Sequence, residues 1–279
     1  MFSGIKGFEL GIEKATNGEW ECVGYSEIDK HAIQIGNRHF KHRNYGNARD
    51  INPTQLPEFD LLCAGFPCQA FSMAGRRKGF EDIRGTLFFE IARIVKDKQP
   101  SYLLLENVKG LLNHSNGDTF RTILSTLDEL GYNAEWQILN SKNFGVPQRR
   151  ERVFIIGHLR GKSTRQVFPL NGSVNTSNSQ NKRNCYIHLR SRTKDGKRKQ
   201  YRIYTEISPT VTSECRDWRV DDRMITPLEV ERLQGFPDGY TEGISDAQRY
   251  KCLGNAVTVN VIESIVNRLE ERNHETRTG

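Results

Sequence analysis

The sequence has no C-x-x-C pair: its six cysteines, Cys22, Cys63, Cys68, Cys185, Cys215 and Cys252, stand far apart. That spacing fits neither a zinc site nor a disulfide framework in a chain of 279 residues, so reduced thiols and no metal are expected. No window approaches the roughly 18 uninterrupted apolar residues of a membrane span, which argues against a membrane role. The opening MFSGIKGFELGIE has neither a basic leader nor a small-residue cleavage site, and a cytoplasmic chain is expected. No internal repeat or long low-complexity tract is visible, and none of the seven histidines sits in a motif that would partner a thiol hydrolase. What remains is a globular composition, 36% hydrophobic and 27% charged, with length enough to bury a sizeable core.

Acid is scarce in one place. Between His158 and Thr205 twelve Lys or Arg face a single acid, Asp195, giving +11, while the rest of the chain carries −4. A uniform excess of base would serve solubility alone. A cationic block on a slightly acidic body is what a polyanion-binding surface needs, because neutralising phosphates releases counterions. Nucleic acid is the partner this asymmetry favours over a merely solvated basic loop.

The first part alternates strand-like runs with helical patterns: WECVGYSEID, a helix-like stretch over 30–40, FDLLCAG, GTLFFEIARIVKDK and SYLLLENV. This is the rhythm of βαβ units and predicts a Rossmann-like, doubly wound α/β sheet. FRTILSTLDELGY reads as a further amphipathic helix stopped by Gly131, and RERVFIIGHL as a late strand. Periodicity fails over about 161–200, where the chain is polar, glycine-bearing and basic. It resumes at TPLEVERLQGF: Thr226 can cap, Pro227 suits the first turn, Glu229 completes a capping box and Gly235 ends the helix. A last helix carries Val261, Ile262, Ile265, Val266 and Leu269 on one face. The expected organisation is a body over 1–157, a small basic region over 158–212, and a segment over 213–279 that returns to complete the body.

Ligands of such sheets bind beyond the carboxyl ends of the strands. After DLLCAG comes Phe66-Pro67-Cys68-Gln69; after SYLLL comes Glu106-Asn107; after CVGYS comes Glu27; and FSGIKG forms a glycine-bearing turn. A lone cysteine or a lone glycine turn says little. In one order, however, stand Gly-Phe-Pro-Cys-Gln-x-Phe-Ser from Gly65, Glu-Asn-Val from Glu106, Gln148-x-Arg150-x-Arg152, Arg-Leu-Gln-Gly-Phe-Pro-Asp over 232–238 and Gly-Asn-Ala-Val over 254–257. That set resembles the DNA (cytosine-5)-methyltransferases of bacterial restriction-modification systems and their phage relatives. The resemblance runs from Phe2 to about Ile265, apart from the basic insert, which matches the family's variable target-recognition region.

The resemblance implies an S-adenosylmethionine-dependent enzyme that flips a cytosine out of double-stranded DNA and methylates C5. Cytosine C5 is too poor a nucleophile unless a thiolate first adds to C6, and Cys68 matches that thiolate. Glu106 matches the acid that hydrogen-bonds N3, a role that requires a proton; Arg152 matches the arginine on the cytosine carbonyl, and Arg150 is expected to support the same site. For the donor, Phe2, Gly4 and Gly7 match the glycine turn, Glu27 the acid on the ribose hydroxyls and Ile28 the residue that packs on adenine. Asp50 and Ile51 match the adenine-contacting pair, Pro67 a further donor contact, and Asn255 with Val257 the final donor motif. For DNA, residues 72–84 resemble the loop that closes over the duplex, with Arg76, Arg77 and Lys78 meeting phosphates. Gln69, Ser72, Gln148, Thr210 and Val211 are expected on the DNA side, with Arg190, Arg192, Lys194 and the run 197–199 as contacts in the insert. A monomer is expected, and a cognate restriction endonuclease is left open as a companion.

Two departures stand out. Lys6 occupies a position where the family has glycine, and is expected to carry its charge into the turn that faces the donor. The family's first strand also begins several residues before the Phe-x-Gly, whereas this chain starts at Met1. A clipped central strand is therefore expected, with either a start further upstream or weak donor binding. These departures suggest a degenerate, non-catalytic DNA-binding homologue as the alternative. Methylation of tRNA is disfavoured, because the extra cysteine-containing signature of the family's RNA-directed branch is not evident.

Overall fold

The computed structural model describes residues 1–67, 87–172, 184–187, 202–205, 207–213, 215, 218–220 and 223–270, with backbone alone for 184–187 and 202–205. The main sheet has four strands in the order β1 (Leu61–Gly65), β2 (Tyr102–Val108), β4 (Glu151–Leu159) and β3 (Tyr132–Asn140). Leu103, Leu104 and Leu105 are consecutive and fully buried because β2 is covered on both faces. On one face α3 (Leu87–Lys98) and α4 (Asp118–Glu129) press Phe88, Ile91, Ile123 and Leu127 against Leu103, Leu105, Val153 and Ile155. On the other, α1 (Gly7–Thr16) and α7 (Val259–Glu270) bring Phe8, Ile262, Ile265 and Val266 onto Leu104, Phe154 and Ile156. At about 1.5–3 kcal/mol per large apolar side chain buried, these two layers dominate the stability of the body.

The sheet is thus doubly wound, and it is mixed. Only β1 and β2 run parallel; β4 is antiparallel to both its neighbours, since the short connection over 141–150 joins β3 to β4 and a parallel crossover needs more chain. The strand expected over 20–29 does not form. Tyr25 N–H donates to Arg43 O (2.9 Å) and Tyr45 N–H to Tyr25 O (2.7 Å), so this stretch makes a single bridge with the loop at 43–45 and no ladder. Among the described residues no strand precedes α1; residues 1–6 make a turn, and the Met1 amino group donates to the Cys63 carbonyl on β1 (2.5 Å).

A second sheet runs β6 (Arg202–Thr205), β5 (Asn184–Ile187), β7 (Trp218–Val220), β8 (Arg223–Met224), antiparallel throughout. Trp218 and Val220 pack with Val230 of α5 (Pro227–Gln234), Tyr250 and Leu253 of α6 (Asp246–Asn255) and Ile35 of α2 (Lys30–His39). Both expected boundaries of the small region therefore move. It extends past residue 212 because β7 pairs with β5. Residues 158–170 stay with the body, because Glu135 of β3 accepts from the amides of Val167 (2.6 Å) and Phe168 (3.0 Å). Among the described residues no helix is long and apolar enough to cross a membrane.

Candidate active site

Parallel pairing sets Gly65, the last residue of β1, opposite Glu106 of β2. A Cβ on Gly65 would stand 3.4 Å from Glu106 Oε2, an ordinary contact distance, so the carboxyl lies directly against this strand exit. Asn107 Nδ2 donates to Phe66 O (2.8 Å) and its Oδ1 accepts from Val108 N–H (2.8 Å), which fixes the two strand exits against each other. Pro67 is exposed at this exit. Cys68 follows it outside the described residues, as do Gln69, Ser72, Arg76, Arg77, Lys78, Arg190, Arg192, Lys194 and the run 197–199.

Arg152 enters from β4, where the antiparallel register sets it opposite Val108. Its Nε stands 3.1 Å from Glu106 Oε1, with the two side chains 16% and 12% exposed. Burial pushes the Glu106 carboxyl up from its ordinary pKa, against the opposing pull of Arg152 and Arg150. A cleft of about 430 Å³ adjoins the pair, lined by Val108, Lys109, Gly110, Arg149, Glu151, Arg152, Pro209 and Thr210.

Arg150 does not line that cleft. It is 3% exposed, and its guanidinium donates to three carbonyls, those of Val211 (2.8 Å), Gly254 (3.3 Å) and Ala256 (2.8 Å). Gln148 and Val211, expected on the DNA side, have no exposed surface, which corrects that expectation. Gln148 Oε1 accepts from Val211 N–H (2.8 Å), and Nε2 donates to Leu233 O (2.7 Å) and Gln234 Oε1 (3.0 Å). A side chain sealed in the protein cannot touch a duplex. These residues instead place Thr210, whose hydroxyl donates to Arg149 O (2.7 Å) at the edge of the cleft.

The residues expected at the donor gather around the turn over 2–7. Gly4, at φ +51°, points its N–H at Glu27 Oε2 (2.7 Å), while Glu27 Oε1 accepts from the amides of Ile28 (2.8 Å) and Asp29 (2.9 Å). Ile28 is 72% exposed, and Asp50 and Asn255 are exposed as well. Phe2 packs against the cluster that holds Ile51, whose side chain is buried. Gly7 is needed for contact: a Cβ there would stand 2.8 Å from Val257 Cγ2, so the Val257 side chain packs on α1. Arg93 of α3 secures the next loop, donating to Ile51 O (2.7 Å) and Ala48 O (3.0 Å).

Lys6 departs from expectation. Its backbone is left-handed (φ 71°), yet its side chain turns inward and is fully buried. The stem lies along Gly36 of α2, and Nζ stands over the Tyr25 ring and 3.2 Å from Glu9 Oε1. The charge is neutralised inside the fold and does not enter the donor turn.

Comparison with known proteins bears on this arrangement. The family described as C-5 cytosine-specific DNA methylase matches residues 1–202 and 170–271. The chain is 38% identical to the Type II methyltransferase M1.ScrFI of Lactococcus lactis subsp. cremoris, covering 97% of this chain and 77% of that protein. It is 32% identical to M.HhaI of Haemophilus parahaemolyticus, covering 95% and 91%. The chain belongs to the C-5 cytosine-specific DNA methylases. It is a DNA (cytosine-5)-methyltransferase. The fold of this methylase is shared by the Entamoeba histolytica methyltransferase EhMeth (TM-score 0.67, 18% identity, 97% of this chain and 96% of that one). It is shared too by a putative DNA modification methyltransferase of an Escherichia coli prophage (TM-score 0.67, 18% identity, 98% of each).

Several residues of the methylase's site escaped the sequence reading. Arg149 and Lys109 line the cleft, yet a Gln-x-Arg-x-Arg reading skips the first and a strand-end reading stops before the second. Gln234, Thr258 and Ser141 form a buried relay with Gln148: Thr258 Oγ1 donates to Gln234 Oε1 (3.0 Å) and shares a 2.8 Å hydrogen bond with Ser141 Oγ. Only tertiary packing brings these four segments together. Among the described residues no group of His, Cys, Asp or Glu is arranged to hold a metal ion.

Proposed function

We propose that this methylase transfers the methyl group of S-adenosylmethionine to C5 of a cytosine flipped out of duplex DNA, through a transient bond between Cys68 Sγ and cytosine C6. The observation that carries this reading is Glu106, a buried acid 3.1 Å from Arg152 and in register with Gly65, just upstream of Cys68. Addition of the thiolate to C6 drives electron density into the ring; a proton held on Glu106 is donated to N3, and Arg152 steadies the charge on the carbonyl oxygen. S-adenosylmethionine, when bound, supplies an electrophilic methyl carbon. With C5 methylated, the C5 proton passes to solvent, the Cys68 thiolate is expelled, and the N3 proton returns to the Glu106 carboxylate, which restores the aromatic ring and both side chains.

The donor set suits that molecule in chemistry. A carboxylate offers about four lone-pair sites, and three amides occupy Glu27, which leaves one for a ribose hydroxyl. Exposed Ile28 offers an apolar face to adenine, less strongly than an aromatic ring would. Asp50 and Asn255 supply exposed polar groups, and Phe2, Gly4 and Pro67 border the same turn and strand exit. The cationic block and the cleft with Arg149, Arg152 and Lys109 support duplex DNA as substrate. Likeness to Type II methyltransferases supports a role in protecting DNA from a companion endonuclease.

Covalent trapping tests the reading. Fluorine at C5 cannot leave as a proton does, so duplexes substituted with 5-fluorocytosine should hold wild-type protein in a denaturation-resistant adduct when S-adenosylmethionine is added. Cys68→Ala should form none while still binding DNA. Failure of wild type to form any adduct across a library of substituted sites would overturn the assignment. Bisulfite sequencing of DNA from expressing cells then gives the methylated site.

A further inference from the structure

One buried guanidinium joins the two ligand sites. Arg150 Nη1 holds the carbonyl of Val211, the neighbour of Thr210 at the cleft, and Nη2 holds the carbonyls of Gly254 and Ala256, which flank Asn255 on the donor side. The same two segments touch directly. A Cβ on Gly254 would stand 2.2 Å from Thr212 C and 2.3 Å from Ser213 N, so backbone lies on backbone and neither segment can shift without the other. Gln148 and Gln234 reinforce the joint, the first from Val211 N–H and the second by donating to Leu253 O (2.6 Å) and Ala256 O (3.2 Å). The joint is also incomplete: Arg150 Nε is buried and donates to no group among the described residues. A buried donor left unpaired is costly, so a small rearrangement that paired it would be favoured.

We propose that Arg150 is a positioning residue that couples target binding to donor binding. Duplex held by the recognition sheet fixes the segment 207–213; through Arg150 and Gly254 this holds the α6–α7 junction over 253–258 in place in advance, and the donor then loses less freedom on binding. Linkage requires the reverse effect to have the same size. The proposal rests on the reading of Asn255 as a donor contact.

Calorimetry with S-adenosylhomocysteine, which binds without turnover, measures donor-site affinity with and without sheared unmethylated plasmid DNA at low salt. Wild type should bind about 5-fold or more tightly with DNA present. Arg150→Met should bring that ratio close to one while each ligand alone still binds, and Arg150→Lys should restore part of it. A wild-type ratio of one, or an Arg150→Met ratio equal to that of wild type, would overturn the coupling. Wild type that binds no S-adenosylhomocysteine under either condition would overturn the donor reading itself. Should Arg150→Met fail to fold, hydrogen exchange on wild type decides: added DNA should protect amides over 253–258 with no donor present, and unchanged exchange there counts against the joint.

Discussion

Glu106 stands between two opposed demands. Burial favours its neutral form and Arg152, 3.1 Å away, favours its charged form; burial prevails and the pKa is raised. If the proton on Glu106 goes to cytosine N3, the Glu106-dependent part of single-turnover methyl transfer should be lost as pH climbs through that raised pKa, while the need for the Cys68 thiolate sets a separate acid limb. Glu106→Gln keeps an N–H but cannot release a proton, so the rate should drop by about 10²-fold and the alkaline fall should vanish. A Gln variant with the wild-type pH profile would remove Glu106 from the chemistry. Glu106 was legible because an acid directly after an apolar strand lies where α/β sheets bind ligands. The motif containing Arg150 was less so. Alternation puts Gln148, Arg150 and Arg152 on one side of the chain, and only the segment at 208–211 lying over the first two decides that they are sealed in while Arg152 reaches the cleft.

Element by element, legibility follows locality. The helix α5 was readable to its ends because its signals lie within the helix: Thr226 accepts from Glu229 N–H, Glu229 accepts from Thr226 N–H, Pro227 opens the first turn and Gly235 closes at φ 78°. Hydrogen bonds from Arg223, with those from Thr226, hold the Glu229 carboxyl down at about 2. A depressed carboxylate contributes stability that is fully present above its unfolded pKa and is lost as pH falls toward 2. Glu229→Ala should therefore lower stability by about 1 kcal/mol near neutrality, with the difference from wild type shrinking below roughly pH 4.5. Urea midpoints across that range check it, and a pH-independent difference would assign the loss to packing. The stretch 20–29 departs from its strand-like reading for the opposite reason, since strand-like composition makes a strand only where a neighbour offers a ladder. The inward turn of Lys6 depends on Gly36, Tyr25 and Glu9, which no local pattern announces.

For the whole molecule, the charge asymmetry was legible and its edges were not, because β7 and the 158–170 stretch are placed by pairing and by Glu135. If Arg190 and Arg192 meet phosphates, replacing both with Gln should flatten the slope of log affinity against log salt by roughly 0.9 for each phosphate no longer neutralised. An unchanged slope would place these two away from the DNA backbone. The threading of the chain has a consequence for exchanging specificity between relatives. Between β6 and β7 the chain returns to the body, where Ser208 N–H donates to Pro147 O (2.7 Å) and Arg149 N–H to Ser208 O (2.8 Å). A transplanted recognition module therefore cannot be one continuous cassette. Two grafts, one ending before residue 207 and one starting after 213, would leave the host its own seam, and such chimaeras should fold where single-piece swaps precipitate.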